Sequence, residues 1–331
     1  MEIKAADVAK LRQMTGAGMM DCKKALVEAE GDYERAKEII REKGKLVAAK
    51  RADRETSEGR VIAKVSGDKA IVVGLGCETD FVAKNEEFKA LAEAIADAAI
   101  ASFPADKDAL MACVLADGRT VEAAVTEQTG KTGEKHQIAG YEVVEAPYIV
   151  AYMHNVTGKL AAVVGFNKEF DAQVAKGVAM QVASMNPVAV SAESVPQSVI
   201  DSELKTATEK TKEELVQKAV DAALNKAGIN PAHVDSEAHI ESNQAKGWIT
   251  AEQAEQAREI IKTVSAEKAA NLPEQMVANI AKGRLQKFFK EQTLEEQGYQ
   301  MGDGKTAVKD VIKAADAEAK VLCFKRVSLT D

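Results

Sequence analysis

The sequence predicts an α+β protein: an N-terminal three-helix module, a core of two related antiparallel-sheet-plus-helix subdomains, and a helical, coiled-coil-like hairpin. Three observations carry this prediction. Apolar residues recur at helical spacing over the first fifty positions, short β runs then replace them, and one strand–turn–strand–helix pattern occurs twice.

The first helix carries Val8 and Leu11 and stops at Thr15-Gly16-Ala17-Gly18. The second, with Met19, Cys22, Leu26 and Ala29 on its apolar stripe, ends at Gly31. Asp32 is placed to cap a third, which carries Tyr33, Ala36 and Ile40 on one face. Three short helices of this kind resemble a ubiquitin-associated domain. The polar run from Lys50 to Gly59 has no apolar period, so it reads as a linker that leaves the first module free to move.

From Arg60 the pattern becomes β. Val61–Val65, a Ser66-Gly67-Asp68 turn and Ala70–Gly74 make a hairpin, and Phe88, Leu91, Ile95 and Ala98 mark the helix after it. Tyr148–Met153, a turn from His154 to Gly158, Leu160–Gly165 and a helix through Val174 and Val178 repeat the pattern. Between Val-Val-Gly and the Glu-Phe that opens each helix, the first copy has twelve residues (75 to 86) and the second three (166 to 168). The nine extra residues include Cys77 to Lys84.

Residues 201–292 are rich in Ala, Glu, Lys and Gln at helical spacing, with interruptions at Gly228-Ile229-Asn230-Pro231 and Gly247-Trp248, which predicts a helical hairpin with an extra segment at its tip. A helix through Val308 and Ile312 and a last strand, Val321–Val327, return to the core sheet. The division expected is 1–54, 55–146, 147–200 with 293–331, and 201–292.

Composition narrows the function classes. With 331 residues, 46% of them hydrophobic, the chain is long enough for several cores, and no apolar run reaches the ~20 residues of a membrane span. Met1-Glu2-Ile3-Lys4 lacks the purely basic start of a signal peptide, so a soluble cytoplasmic protein is expected. A net charge of −8 with 4% aromatics argues against direct nucleic-acid binding. Cys22, Cys77, Cys113 and Cys323 are too scattered for a zinc knuckle or a disulfide framework.

Enzyme-like motifs are incomplete. In Val73-Gly74-Leu75-Gly76-Cys77-Glu78-Thr79 the third glycine of a dinucleotide loop is Thr79. Gly304-Lys305-Thr306 and Gly130-Lys131-Thr132 lack the glycine a phosphate loop needs five positions earlier. A cysteine nucleophile at Cys77 or Cys22 has no histidine in a recognisable signature, and His233 and His239 read as a solvated helix surface rather than a metal cluster. No catalytic residue, metal or cofactor is therefore expected.

Phe81, between Asp80 and Val82 on a loop between strand and helix, either anchors its own loop or enters a partner, since an exposed Phe forgoes roughly 1.5–3 kcal/mol of burial. Two long motifs bear on that choice. Thr15-Gly16-Ala17-Gly18-Met19-Met20-Asp21-Cys22-Lys23-Lys24-Ala25-Leu26 and Thr79-Asp80-Phe81-Val82-Ala83-Lys84 resemble, in order and spacing, the two signatures of the translation elongation factor Ts family. The similarity extends through both subdomains and Lys282–Phe288. It implies a guanine-nucleotide exchange factor whose partner is the GTPase elongation factor Tu, in a one-to-one or two-to-two complex. It also implies that the loop Thr79, Asp80, Phe81, Val82, Ala83 and Lys84 acts as a wedge on the partner's Mg²⁺ and phosphate site. Docking roles fall to Met19, Met20, with Leu11 contributing, and to His154. The chain departs from short members of the family in its longer 201–275 region, on whose role the resemblance is silent.

Overall fold

In the computed structural model, which describes residues 3–331, α1 (Ala5–Thr15) stops where Gly16 adopts a left-handed φ of 68° and donates its amide to the Arg12 carbonyl. α2 (Met19–Glu28) and α3 (Tyr33–Lys50) come next, and the Asp32 carboxylate caps α3 by accepting the Arg35 amide. Leu11, Cys22, Leu26, Ala36 and Ile39 close a small core between the three helices.

The first half of the core begins with β1 (Glu58–Ser66) and β2 (Lys69–Cys77), an antiparallel pair. A single turn, α4 (Asp80–Ala83), precedes α5 (Glu86–Ser102), α6 (Lys107–Ala112), α7 (Val121–Thr132) and β3 (Gln137–Glu145), which pairs with the other side of β2. The outer face of this sheet buries Ile71, Val73 and Leu75 against Phe88 and Ile95 of α5 and Val125 of α7. None of α6, α7 and β3 is among the elements expected from the sequence.

Residues 51–57 lack regular structure, as a linker should. The module before them is nevertheless docked rather than free, because α3 crosses α7 where two glycines meet. A Cβ on Gly130 would lie 3.1 Å from Gly44 Cα, so the absence of side chains at both positions lets the two backbones touch. A polar run predicts missing secondary structure. It says nothing about what the preceding helix packs on.

The second half starts with β4 (Tyr148–Met153) and β5 (Leu160–Phe166), antiparallel, and α8 (Ala172–Met185). The chain then forms a second compact unit, Ser191–Glu296. In it α9 (Gln197–Lys226), 30 residues and about 45 Å long, is flanked by α11 (Ala251–Ala270) and α12 (Glu274–Gln292), with α10 (Glu237–Ala245) between the predicted interruptions. The return arm is two helices, broken at Asn271-Leu272-Pro273, a stop that the sequence reading missed. Val220, Leu224, Ile240 and Ile249 give the tip its own core. His239 pairs with Asp235, while His233 packs on Trp248 with ring centroids 5.6 Å apart, so the two histidines serve different contacts.

The first unit resumes with α13 (Val308–Ala315) and β6 (Val321–Ser328), which pairs with β5 and completes the second sheet as expected. The inner faces of the two sheets meet, Val61, Val72 and Val144 packing with Ile149, Val163 and Val327. Gly74 and Gly140 are cross-strand partners. Val327 fills the notch they leave: its Cγ1 lies 3.1 Å from a Cβ built on Gly74 and 2.8 Å from one on Gly140. The two glycines that resemble a dinucleotide loop are thus strand residues, Gly74 making room for Val327 of the neighbouring sheet and Gly76 for Thr56. β2 and β5 are central and covered on both faces, which explains apolar runs in place of alternation. Among the described residues no helix is long and apolar enough to cross a membrane.

Candidate partner-binding site

The extra residues of the first copy fold as a projecting helical turn. Thr79 is its N-cap, accepting the Val82 amide on its hydroxyl oxygen at 3.4 Å, and Asn85 caps α5 directly after it by accepting the Glu87 amide. Val82 and Ala83 pack on the core beneath. Phe81 points the other way and is 83% exposed. Of the two readings open in the sequence, anchoring its own loop is therefore not what Phe81 does in the free chain.

The turn is held from behind by residues with no sequence motif. Glu134, just beyond α7, receives the Thr79 amide on Oε2 at 3.1 Å and the Thr79 hydroxyl on Oε1 at 2.7 Å. Beside it, Glu78 accepts from Arg51 Nη1 with both oxygens, at 2.8 and 2.9 Å, and from the Lys135 amide at 2.6 Å. Lys135 Nζ in turn donates to the carbonyls of Ala52 at 2.6 Å and Arg54 at 2.9 Å, tying down the linker. Partial burial pushes the Glu78 carboxyl up, but the Lys135 amide and the Arg51 guanidinium prevail and hold it below the ordinary carboxylate value.

His136 backs this cluster. Its Nδ1 donates to the Glu134 carbonyl at 2.9 Å, since a carbonyl only accepts, and its ring packs on Phe88 at 5.6 Å. Burial lowers its pKa, keeping it neutral. Cys77, which closes β2, donates its thiol to the Thr79 carbonyl at 3.3 Å, and burial, joined by the nearby Glu134 charge, pushes it up to about 12. It is an inert packed thiol, in keeping with a cysteine outside any nucleophile signature. On the outer side Asp80 pairs with Lys84 at 2.6 Å, and that bond holds its carboxyl below the usual range.

The proposed docking residues divide. Met19 and Met20, the first two residues of α2 after the Gly18 N-cap, are 57% and 64% exposed. Met19 is thus not on the buried stripe expected of it. Leu11 is fully buried in the three-helix core, so its side chain supports the module and offers no contact surface; helical spacing alone did not distinguish the two. Met19 lines an open cleft of about 450 Å³ together with Met14 and Glu87, the last at the start of the helix that comes after the Asp80–Ala83 turn.

His154 sits on the β4–β5 turn with Nδ1 3.0 Å from the Tyr152 hydroxyl, next to Val156, which is 90% exposed and which the sequence reading passed over. This turn lies at the same end of the core as the 79–84 turn. The Gly158 carbonyl accepts the Val61 amide at 2.7 Å, and Lys159 pairs with Glu58, the strand partner of Cys77. The structure therefore gathers Met19, the 79–84 turn and the His154 turn around one end of the first unit.

The comparisons with known proteins agree with one another. The family model described as elongation factor TS matches residues 78–230 and 221–331. The chain is 55% identical over 329 residues to elongation factor Ts of Parabacteroides distasonis and 56% identical over 329 residues to that of Bacteroides thetaiotaomicron, each match covering 99% of both proteins. Elongation factor Ts of Christiangramia forsetii is 40% identical over 332 residues, again with 99% of both covered. Matches of this extent place the two motifs and the clustered elements in one context: the chain belongs to the elongation factor Ts family.

Proposed function

We propose that this protein is a guanine-nucleotide exchange factor that accelerates GDP release from elongation factor Tu, with Asp80 and Phe81 as the wedge and Met19, Met20 and His154 as docking contacts. The observation that carries the reading is a large apolar side chain, Phe81, held almost wholly in water by a turn latched to the core. Leaving it there forgoes roughly 1.5–3 kcal/mol, which a partner's apolar pocket would recover.

The chemistry asked of the protein is displacement, not bond making. Mg²⁺ requires near-octahedral oxygen ligation at close distance, and the nucleotide phosphates depend on that cation and on loop amides, so a small shift of the partner's backbone removes much of the binding energy. The exchange factor must bind the distorted GTPase better than the nucleotide-loaded one, and reciprocity then makes nucleotide weaken its own binding equally. A ~10⁴-fold acceleration corresponds to lowering the barrier by about 5.5 kcal/mol.

The test is stopped-flow release of a fluorescent GDP analogue from the cognate elongation factor Tu. Acceleration by orders of magnitude, lowered by roughly ten- to a hundredfold in Phe81→Ala, is expected if the side chain supplies about 1.4–2.7 kcal/mol of that term. Acceleration indifferent to the mutation would keep exchange and remove the wedge, and no acceleration by wild type would remove both.

A further inference from the structure

We infer that Glu134 is a positioning residue for exchange: its carboxylate grips Thr79 and so holds the helical turn bearing Phe81 in the orientation that meets the partner. The inference rests on the reading of Phe81 as the wedge.

The turn cannot hold itself. It has four residues, none of them fully buried, and beyond the contacts of Val82 and Ala83 with the core a single helical turn fixes several dihedrals for too few hydrogen bonds to persist in water. Its outer tie, Asp80 with Lys84, joins side chains that are 47% and 74% exposed, a kind of pair that contributes little and is screened by salt. The inner tie is different. Glu134 uses both oxygens on one residue, taking the Thr79 amide and hydroxyl together, and its half-buried setting strengthens charge-assisted hydrogen bonds. The hydroxyl it orients is the same one that caps the turn through the Val82 amide.

Glu134 is also rigidly based. It comes directly after the left-handed cap at Gly133, its amide donates to the Thr132 hydroxyl, and its carbonyl receives the His136 ring. Its neighbour Lys135 is bound through both backbone and side chain to Glu78 and to the linker carbonyls. Force applied to Phe81 on insertion thus passes to Thr79, then Glu134, then α7 and the packed sheet, rather than swinging the turn aside.

The experiment compares full-length wild type, Glu134→Ala, Glu134→Gln, Phe81→Ala and the Phe81→Ala/Glu134→Ala double variant in GDP release across a concentration series. Glu134→Ala should lower the saturating release rate by about tenfold, roughly 1.4 kcal/mol at the transition state, while the half-saturating concentration moves less than about threefold. Glu134→Gln should recover most of the rate, because its amide oxygen still accepts the Thr79 amide and its NH₂ donates to the Thr79 hydroxyl. The double variant should be slower than Phe81→Ala by clearly less than the loss that Glu134→Ala causes on the wild-type background, since Glu134 acts through the turn that presents the ring beside Asp80. Losses that multiply in the double variant, or a wild-type rate in Glu134→Ala beside a slow Phe81→Ala, would overturn the inference and leave the wedge intact. A wild type that fails to accelerate release would overturn the exchange reading and the inference with it.

Discussion

The two halves of the core share strand order, pairing and central apolar strand, and they differ in how the chain travels from that strand to its helix. After Gly165 the second half needs five residues (166–170) to reach the Asp171 cap of α8, whereas after Gly74 the first takes ten (75–84) to reach the Asn85 cap of α5. The excess is five residues when helix caps are aligned, not the nine obtained by aligning the Glu-Phe pairs, because Phe88 lies inside α5 while Phe170 precedes the cap of α8. Phe170 instead packs edge-on against Phe166 at 5.0 Å. Five residues amount to about one helical turn with its cap, which is what α4 is. One scaffold serves in one half as plain packing and in the other as the base of a projection.

A second difference lies beyond the helix. The first half inserts α6 and α7 before its third strand and, through α7, carries the N-terminal module; the second inserts the Ser191–Glu296 unit at the corresponding point. Additions at the same topological position leave the sheets undisturbed, since each edge strand returns to the same place beside its central strand.

The comparison breaks most sharply at the phenylalanines. Phe88 and Phe166 are both fully buried, one in each half, and replacing either with Ala should cost about 3–5 kcal/mol in urea unfolding. Phe81→Ala should change stability by less than about 0.5 kcal/mol, as for an exposed site. A large stability loss at Phe81 would mean that the ring is packed at home and that the two crossovers do not differ in kind.

A smaller effect is expected where the first half holds its module. Gly130→Val should cost roughly 1–3 kcal/mol, because the new side chain meets the Gly44 backbone, which cannot move aside without shifting α3. Hydrogen exchange should show the amides of α3 losing protection ahead of those of β2. Equal loss in both would indicate that the module and the core unfold as one.

The smallest effect is a pH dependence of the cluster behind the wedge. The folded value of Glu78 lies below its ordinary 4.5, so the folded state binds that proton more weakly than the unfolded chain does. Its contribution, about 1 kcal/mol for a partly exposed pair, is fully present above pH 4.5 and is lost as pH falls through the folded value. The stability difference between wild type and Glu78→Gln should be flat from pH 7 to about 5 and vanish in more acidic buffer. A difference that persists unchanged at pH 2 would mean that the carboxylate charge contributes nothing.

Much of this architecture is legible in the residues. Apolar spacing and glycine or aspartate boundaries mark the three N-terminal helices, both hairpins, α5, α8 and the last strand, since these are local consequences of periodicity and capping. The same rules fail where burial comes from a distant element. Leu11 and Met19 both fall at helical apolar positions, and only the packing of three helices puts one inside and the other in water. The break at Asn271-Leu272-Pro273 is masked by a continuous helix-forming composition on either side of it.

Fold class, the repeat and the two motifs that carry the family resemblance are written in the residues alone, because periodicity, capping residues and motif spacing are properties of neighbours along the chain. Three-dimensional packing was needed to put Phe81 in water, to let the first module dock through Gly44 and Gly130, and to bring Glu134 to Thr79 across 55 positions. Those facts depend on which surfaces the closed sheets bring together, and a hydrogen bond between residues so far apart leaves no local trace in either segment.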